Sequence, residues 1–239
     1  MVHMGNEVDP NAFGSWLDDT NYISGSQYGT ILVLGDARVN MNDSFLNSND
    51  YTYSAPENLY WSARTMSSSN GDSNMRYNLT WSFSVDSGFK YLVRLHFCEI
   101  SMLVTDINQR VFSVYINNQT AEEKLDLVAL VGEPLSPLYR DYVVKVPIET
   151  EIRKVFMLIS LHPNLESKPK YADAILNGVE IRKIGLECLM DFVEIGIQCL
   201  ANKSVERPTM GDVLSSLEKI LSLQKSLEEP EINVVKMAM

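Results

Sequence analysis

Within His96-Phe97-Cys98-Glu99, an imidazole, a thiol and a carboxylate fall close together. These are the side-chain types that hold transition metals. The flanking residues alternate apolar and polar like a strand, so His96 and Cys98 share one face and Glu99 takes the other. That placement spoils a shared ion, and no metal is assigned. Asp18-Asp19 supplies the paired carboxylates that glycoside chemistry uses. Adjacent acids of this kind better suit a solvated turn or a helix start. No G-x-S-x-G elbow presents a serine nucleophile. Arg110, at the opening of a strand, suits a structural hydrogen bond or ion pair. The chemistry-bearing residue types are therefore read as structural, with no catalytic residue and no cofactor.

The elements that must position these residues are mostly strands. In "YNLTWSFSVDSGFKYLVRLHFCEI" (77–100), Leu79, Trp81, Phe83 and Val85 point one way and Asn78, Thr80, Ser82 and Ser84 the other, a half-buried strand. Asp86-Ser87-Gly88 is a turn, and Tyr91, Val93, Leu95 and Phe97 begin the next alternation. Further strands are expected at 110–117, 141–148, 154–161 and 178–184, with a polar, aromatic loop from Asn40 to Asn58. Short strands separated by turns indicate an all-β sandwich or roll.

Composition narrows the partners. The chain has 239 residues and a net charge of −11, which disfavours nucleic acid and anionic membrane surfaces. Cys98, Cys188 and Cys199 make no paired framework and are read as small buried hydrophobes. The N-terminal residues lack the apolar core of a secretion signal, of about 7–15 residues. No apolar run reaches the roughly 18 residues of a membrane helix. By these signs the chain has neither a secretion leader nor a direct membrane span.

The C-terminal quarter changes character. In "KSVERPTMGDVLSSLEKI" (203–220) Thr209 and Asp212 have capping-box spacing behind Pro208. Val213, Leu214, Leu217, Ile220 and Leu221 then trace an amphipathic helix. The wider stretch "FVEIGIQCLANKSVERPTMGDVL" (192–214) resembles the last two helices of the plant receptor-like kinase catalytic domain. Phosphoryl transfer needs a glycine-rich loop, a strand lysine, a catalytic Asp and a magnesium-binding Asp. The sequence contains no G-x-G-x-x-G, V-A-I-K, H-R-D or D-F-G element, and its one A-P-E, Ala55-Pro56-Glu57, lies far upstream among the strands rather than before these helices, so no kinase activity is expected.

The strand-rich part carries a second resemblance. "YNLTWSFSVDSGFKYLVRLHFCEI", "NQRVFSVYINNQTAE" and "AILNGVEIRKI", with "GSWLDDTNYISG" (14–25) and "APENLYWSARTM" (55–66), resemble the second malectin-like domain of the FERONIA-like group of plant receptor-like kinases. The resemblance implies a mainly β fold, a malectin-like β-sandwich of jelly-roll type, followed by a short α-helical remnant of the kinase C-lobe. The implied organisation is a disordered N-terminus over 1–11, a malectin-like domain over 12–184, the helical remnant over 185–226 and a disordered tail over 227–239. The function implied is that of a truncated receptor kinase. Its malectin-like domain binds cell-wall oligosaccharide or a secreted peptide without catalysis; the alternatives are a receptor Ser/Thr protein kinase, as the family resemblance implies, or a non-functional or decoy fragment that meets related receptor ectodomains. Family members display this domain outside the plasma membrane. A sugar site needs aromatic faces beside polar groups, and Tyr22, Tyr51 and Tyr53 are the candidates. Sequons at Asn42, Asn78 and Asn118 fit a domain evolved for the secretory pathway. His162-Pro163-Asn164 resembles the family's strand-end turn.

Overall fold

Alternation in the sequence becomes two packed sheets in the computed structural model, which describes residues 16–24, 29–41, 55–66, 71–148, 153–184, 186–200, 207–227 and 234–236. One five-stranded sheet runs in the order β1 (Trp16–Asp18), β13 (Val234–Lys236), β12 (Gly178–Ile184), β6 (Lys90–Phe97) and β9 (Leu138–Lys145). A second runs β2 (Ile23–Ser24), β5 (Leu79–Asp86), β10 (Lys154–Pro163), β7 (Phe112–Ile116) and β8 (Gln119–Leu125). A small sheet of β11 (Ile175–Leu176), β4 (Ser62–Thr65) and β3 (Thr30–Val33) completes the set.

The inward rows follow the sequence pattern. Leu79, Trp81, Phe83 and Val85 of β5 are buried and stand opposite Leu161, Ile159, Met157 and Val155 of β10. Val93, Leu95 and Phe97 of β6 are fully buried in the other sheet. The two layers meet where the rings of Phe97 and Phe112 lie 5.9 Å apart. Such inner-face interdigitation makes this a β-sandwich. Gly178 lets Leu59 pack directly on β12, because a Cβ there would lie 2.8 Å from Leu59 Cδ1.

Turn chemistry sets the register. Asn117 and Asn118, with φ of 49° and 61°, join β7 to β8 in the left-handed conformation that tight hairpins require. The strand expected at 141–148 is shifted to begin at Leu138, and that at 110–117 is trimmed to Phe112–Ile116. Those expected at 154–161 and 178–184 form essentially as read.

Four helices are described. α1 (Gly71–Asn74) and α2 (Leu127–Val131) are short. α3 (Leu186–Cys199) and α4 (Met210–Leu227) lie against one another. The capping box forms as the sequence predicts. Asp212 N–H donates to Thr209 Oγ1 at 3.2 Å, and Asp212 Oδ2 accepts from Thr209 N–H at 3.0 Å. Val234–Lys236, in the stretch read as a disordered tail, forms a strand between β1 and β12.

Candidate functional site

The residues singled out from sequence do not converge. Tyr22 is half-buried, with its ring stacked on Phe83 at 5.2 Å, so packing occupies one face. Tyr51, Tyr53 and Asn42 lie outside the described residues. Asn78 is exposed just before β5, and Asn118 is exposed at the β7–β8 turn. Tyr22 flanks β2 at one edge of its sheet while Asn118 borders β8 at the other.

Three ionic clusters are sealed in the interior. Asp19, expected in a solvated turn, is instead fully buried. It accepts from Arg64 Nη2 at 2.5 Å and from Trp81 Nε1 at 3.0 Å. Its neighbour Asp18 takes the helix-start role, capping a 3-10 turn at Thr20 N–H.

His96 joins the second cluster. Its Nε2 lies 2.7 Å from Glu180 Oε1 and its Nδ1 lies 2.9 Å from the Tyr60 hydroxyl. A carboxylate only accepts, so Nε2–H donates to Glu180 and Nδ1 accepts from Tyr60. Burial pushes the imidazole below its ordinary range despite Glu180. Burial opposes ionisation of Glu180, yet the His96 and Arg182 bonds hold its carboxyl below the usual carboxylate range. The arrangement is that of an acid–base relay, but both side chains are only 1 % exposed, which gives a substrate no access.

The third cluster contains Glu99, which lies just past the end of β6 and is buried. Arg110 Nη1 donates to both Glu99 oxygens, at 2.6 and 2.5 Å, and Nη2 donates to Asp173 Oδ2 at 2.7 Å. Burial pushes the Glu99 carboxyl up, partly offset by Arg110. Burial likewise pushes up the Cys98 thiol. Among the described residues, no three His, Cys, Asp or Glu side chains are grouped to hold a metal.

This third cluster is the base of a surface feature that the sequence reading passed over, the connection from β6 to β7, which contains "SMLVTDIN" (101–108). Met102, Leu103 and Ile107 stand 73 %, 70 % and 61 % exposed. Cys98, Ile100, Val104 and Val111 are buried beneath them. The backbone is tied down along its length. Ser101 N–H donates to Glu99 Oε1 at 2.9 Å, and Val104 N–H to Ser101 O at 3.1 Å. Thr105 N–H donates to Gln109 Oε1 at 2.8 Å, and Asn108 N–H to Asp126 Oδ2 at 2.6 Å. Asp126 is also the N-cap of α2, on which Leu130 is exposed. Apolar tips on a backbone fixed in advance can dock at little ordering cost. The loop tip carries aliphatic side chains and no aromatic ring. It therefore matches the apolar side chains of a peptide or protein better than a sugar face. The signal for it in the sequence was a cluster of apolar residues among Ser, Thr, Asp and Asn turn-formers, between two clean strands.

The profile of the malectin-like domain family matches residues 10–184. The chain is 45 % identical over 184 residues to the receptor-like protein kinase FERONIA of Arabidopsis thaliana, covering 75 % of this chain and 20 % of FERONIA. It thus spans about a fifth of the length of that relative. Among solved structures it resembles FER in the crystal structure of the plant peptide RALF23 with FER and LLG2. There the TM-score is 0.65 and identity 43 %, over 73 % of this chain and 44 % of that one. It also resembles the ANX1 ectodomain from Arabidopsis thaliana, with TM-score 0.59 and 35 % identity over 68 % of this chain and 40 % of that one.

Proposed function

This chain belongs to the malectin-like domain family, with the FERONIA and ANXUR receptor-like kinases among its relatives, and on that premise we propose that its β-sandwich is a non-catalytic recognition module for a secreted peptide. The single observation carrying the reading is the pinned, apolar β6–β7 loop tip of Met102, Leu103 and Ile107. A relative of the same fold was crystallised with a plant peptide, which makes peptide the leading ligand class. The net charge of −11 would steer a cationic partner toward the chain.

Three finer assignments belong to the same proposal. The sandwich corresponds to the second malectin-like domain of such receptors. Residues 185–226 are the end of a kinase C-lobe joined directly to it, a reading supported by the 192–214 motif and the Thr209–Asp212 capping box. The chain then acts as a truncated receptor, outside the plasma membrane, that can engage related receptor ectodomains as a decoy. Sequencing of full-length transcripts tests the join: a message that encodes kinase core between residues 184 and 192 overturns it.

A second reading, binding of cell-wall oligosaccharide, rests on the aromatic candidates Tyr22, Tyr51 and Tyr53. Biolayer interferometry of the full chain against parallel panels of secreted plant peptides and pectic oligosaccharides separates the two. Saturable peptide binding without oligosaccharide retention supports the proposal. Oligosaccharide binding alone, or no binding in either panel, refutes it.

A further inference from the structure

The α3–α4 pair uses only part of its apolar surface on itself. On α4, Val213 and Ile220 are half-buried and lie on one stripe at helical spacing. Met210, Leu214, Leu217 and Leu221 form a second stripe at intervals of four, three and four residues. They are 81 %, 59 %, 36 % and 50 % exposed. That spacing is the repeat of a helix–helix seam. By the 100° step of a helix, the second stripe lies about a quarter-turn from the first. On α3, Ile195 is half-buried, whereas Phe192, Val193 and Ile197, and Leu200 just past the helix end, are exposed.

The area decides what covers this face. By the same 100° step, Val193 and Ile197 lie about 160° from Ile195, on the opposite side of α3. The remaining six side chains, at roughly 100 Å² each, give on the order of 600 Å² of apolar surface, the top of the range for the largest patch of a typical monomer. Doubled by a two-fold axis it gives about 1,200 Å², the lower end of a standard stable interface.

We infer that this face is a homodimerisation surface, on which the α3–α4 hairpin of one copy packs against that of a second copy in a four-helix arrangement. A two-fold contact needs one patch that complements itself. Seam-spaced leucines on α4, beside the bulky apolar side chains of α3, provide such a patch, since each copy brings both knobs and grooves. The inference is independent of the peptide-binding reading, because it uses none of the residues of the β6–β7 loop.

The test is sedimentation velocity of the full chain over about 1–100 µM, run beside the variant L214E/L221E and the control S215E. Ser215 is exposed on a different side of α4. The wild type and S215E should sediment as a species of twice 27.0 kDa. L214E/L221E should sediment as a monomer, with dimerisation weakened at least about a hundredfold and an unchanged melt of the β-sandwich. Far-UV circular dichroism establishes that the variant keeps its helices. A second variant, F192S/L200S, probes the α3 half and should also dissociate. Overturning results are a wild type that stays monomeric throughout, which would mean the face is covered within the chain, and helical variants that remain dimeric. Polydisperse aggregates of no fixed stoichiometry would equally overturn the inference.

Discussion

Replacing Arg110 with methionine keeps most of the side-chain volume and deletes the charge that pins the β6–β7 loop. In the native protein the guanidinium makes three short contacts, two to Glu99 and one to Asp173. Arg110 is 6 % exposed, and its partners Glu99 and Asp173 are 2 % and 16 % exposed. Removing one partner of a buried pair costs about 3–5 kcal/mol, because the other charge stays buried. Asp173 keeps donors in Met66 N–H and Ala174 N–H, both through Oδ1. Glu99 is left with Ser101 N–H, so most of the loss falls on Glu99. For a domain of this size the melt should drop by roughly 10 °C. Burial already raises the Glu99 carboxyl, and losing Arg110 raises it further. A group raised in the folded state favours folding when protonated and loses that benefit as pH rises through its folded value. The penalty of R110M should therefore shrink as pH falls toward the ordinary glutamate range, about 4.3. Urea melts of wild type and R110M at several pH values measure both effects, and hydrogen exchange should quicken at Ser101 and Val104. A loss below about 1 kcal/mol, or a penalty that grows on acidification, would refute the pinned-loop argument.

The other buried groups make parallel demands. Asp19→Ala strands Arg64 in the core and should cost about 3–5 kcal/mol in a urea melt; a loss under about 1 kcal/mol would show the pair to be solvated. His96 is held neutral, so below about 6.5 the unfolded chain takes a proton that the folded chain refuses. Stability should then fall by up to about 1.4 kcal/mol per pH unit. His96→Gln should remove that slope between about pH 6.5 and 5, and an unchanged slope counts against the assignment. Glu180, depressed in the folded state, adds its own loss only as pH falls through the carboxylate range. Gly29 has φ +67°, and a Cβ there would strike the Thr65 carbonyl oxygen and sit 2.9 Å from Leu79 Cδ1. Gly29→Ala should cost at least about 1–3 kcal/mol, read as a lowered melting temperature.

The sandwich core was legible because β5 and β6 alternate cleanly and each inward side chain announces its face. β8 was not, because Glu122, Glu123 and Lys124 occupy an edge strand where charge is tolerated and the register shifts against β7. β4 was missed for the opposite reason. Ser62–Thr65 is buried throughout, so its polar residues are satisfied by partners rather than by water. Asp19 read as a surface acid since Arg64 and Trp81 lie 45 and 62 positions away. The His96–Glu180 contact spans 84 positions. Local spacing carries no trace of such pairs. The loop tip was visible as an apolar cluster, but its exposure depends on the anchoring of Val104 and Arg110, which only the fold supplies.

The most direct test of the recognition account is the affinity of the full chain for a captured secreted peptide, compared with M102D/L103D. Losing two docked aliphatic side chains, each worth about 1.5–3 kcal/mol when buried, predicts binding weakened by at least about a hundredfold with the urea melt unmoved. Equal affinity of the two proteins for the peptide would contradict the claim that this loop does the binding.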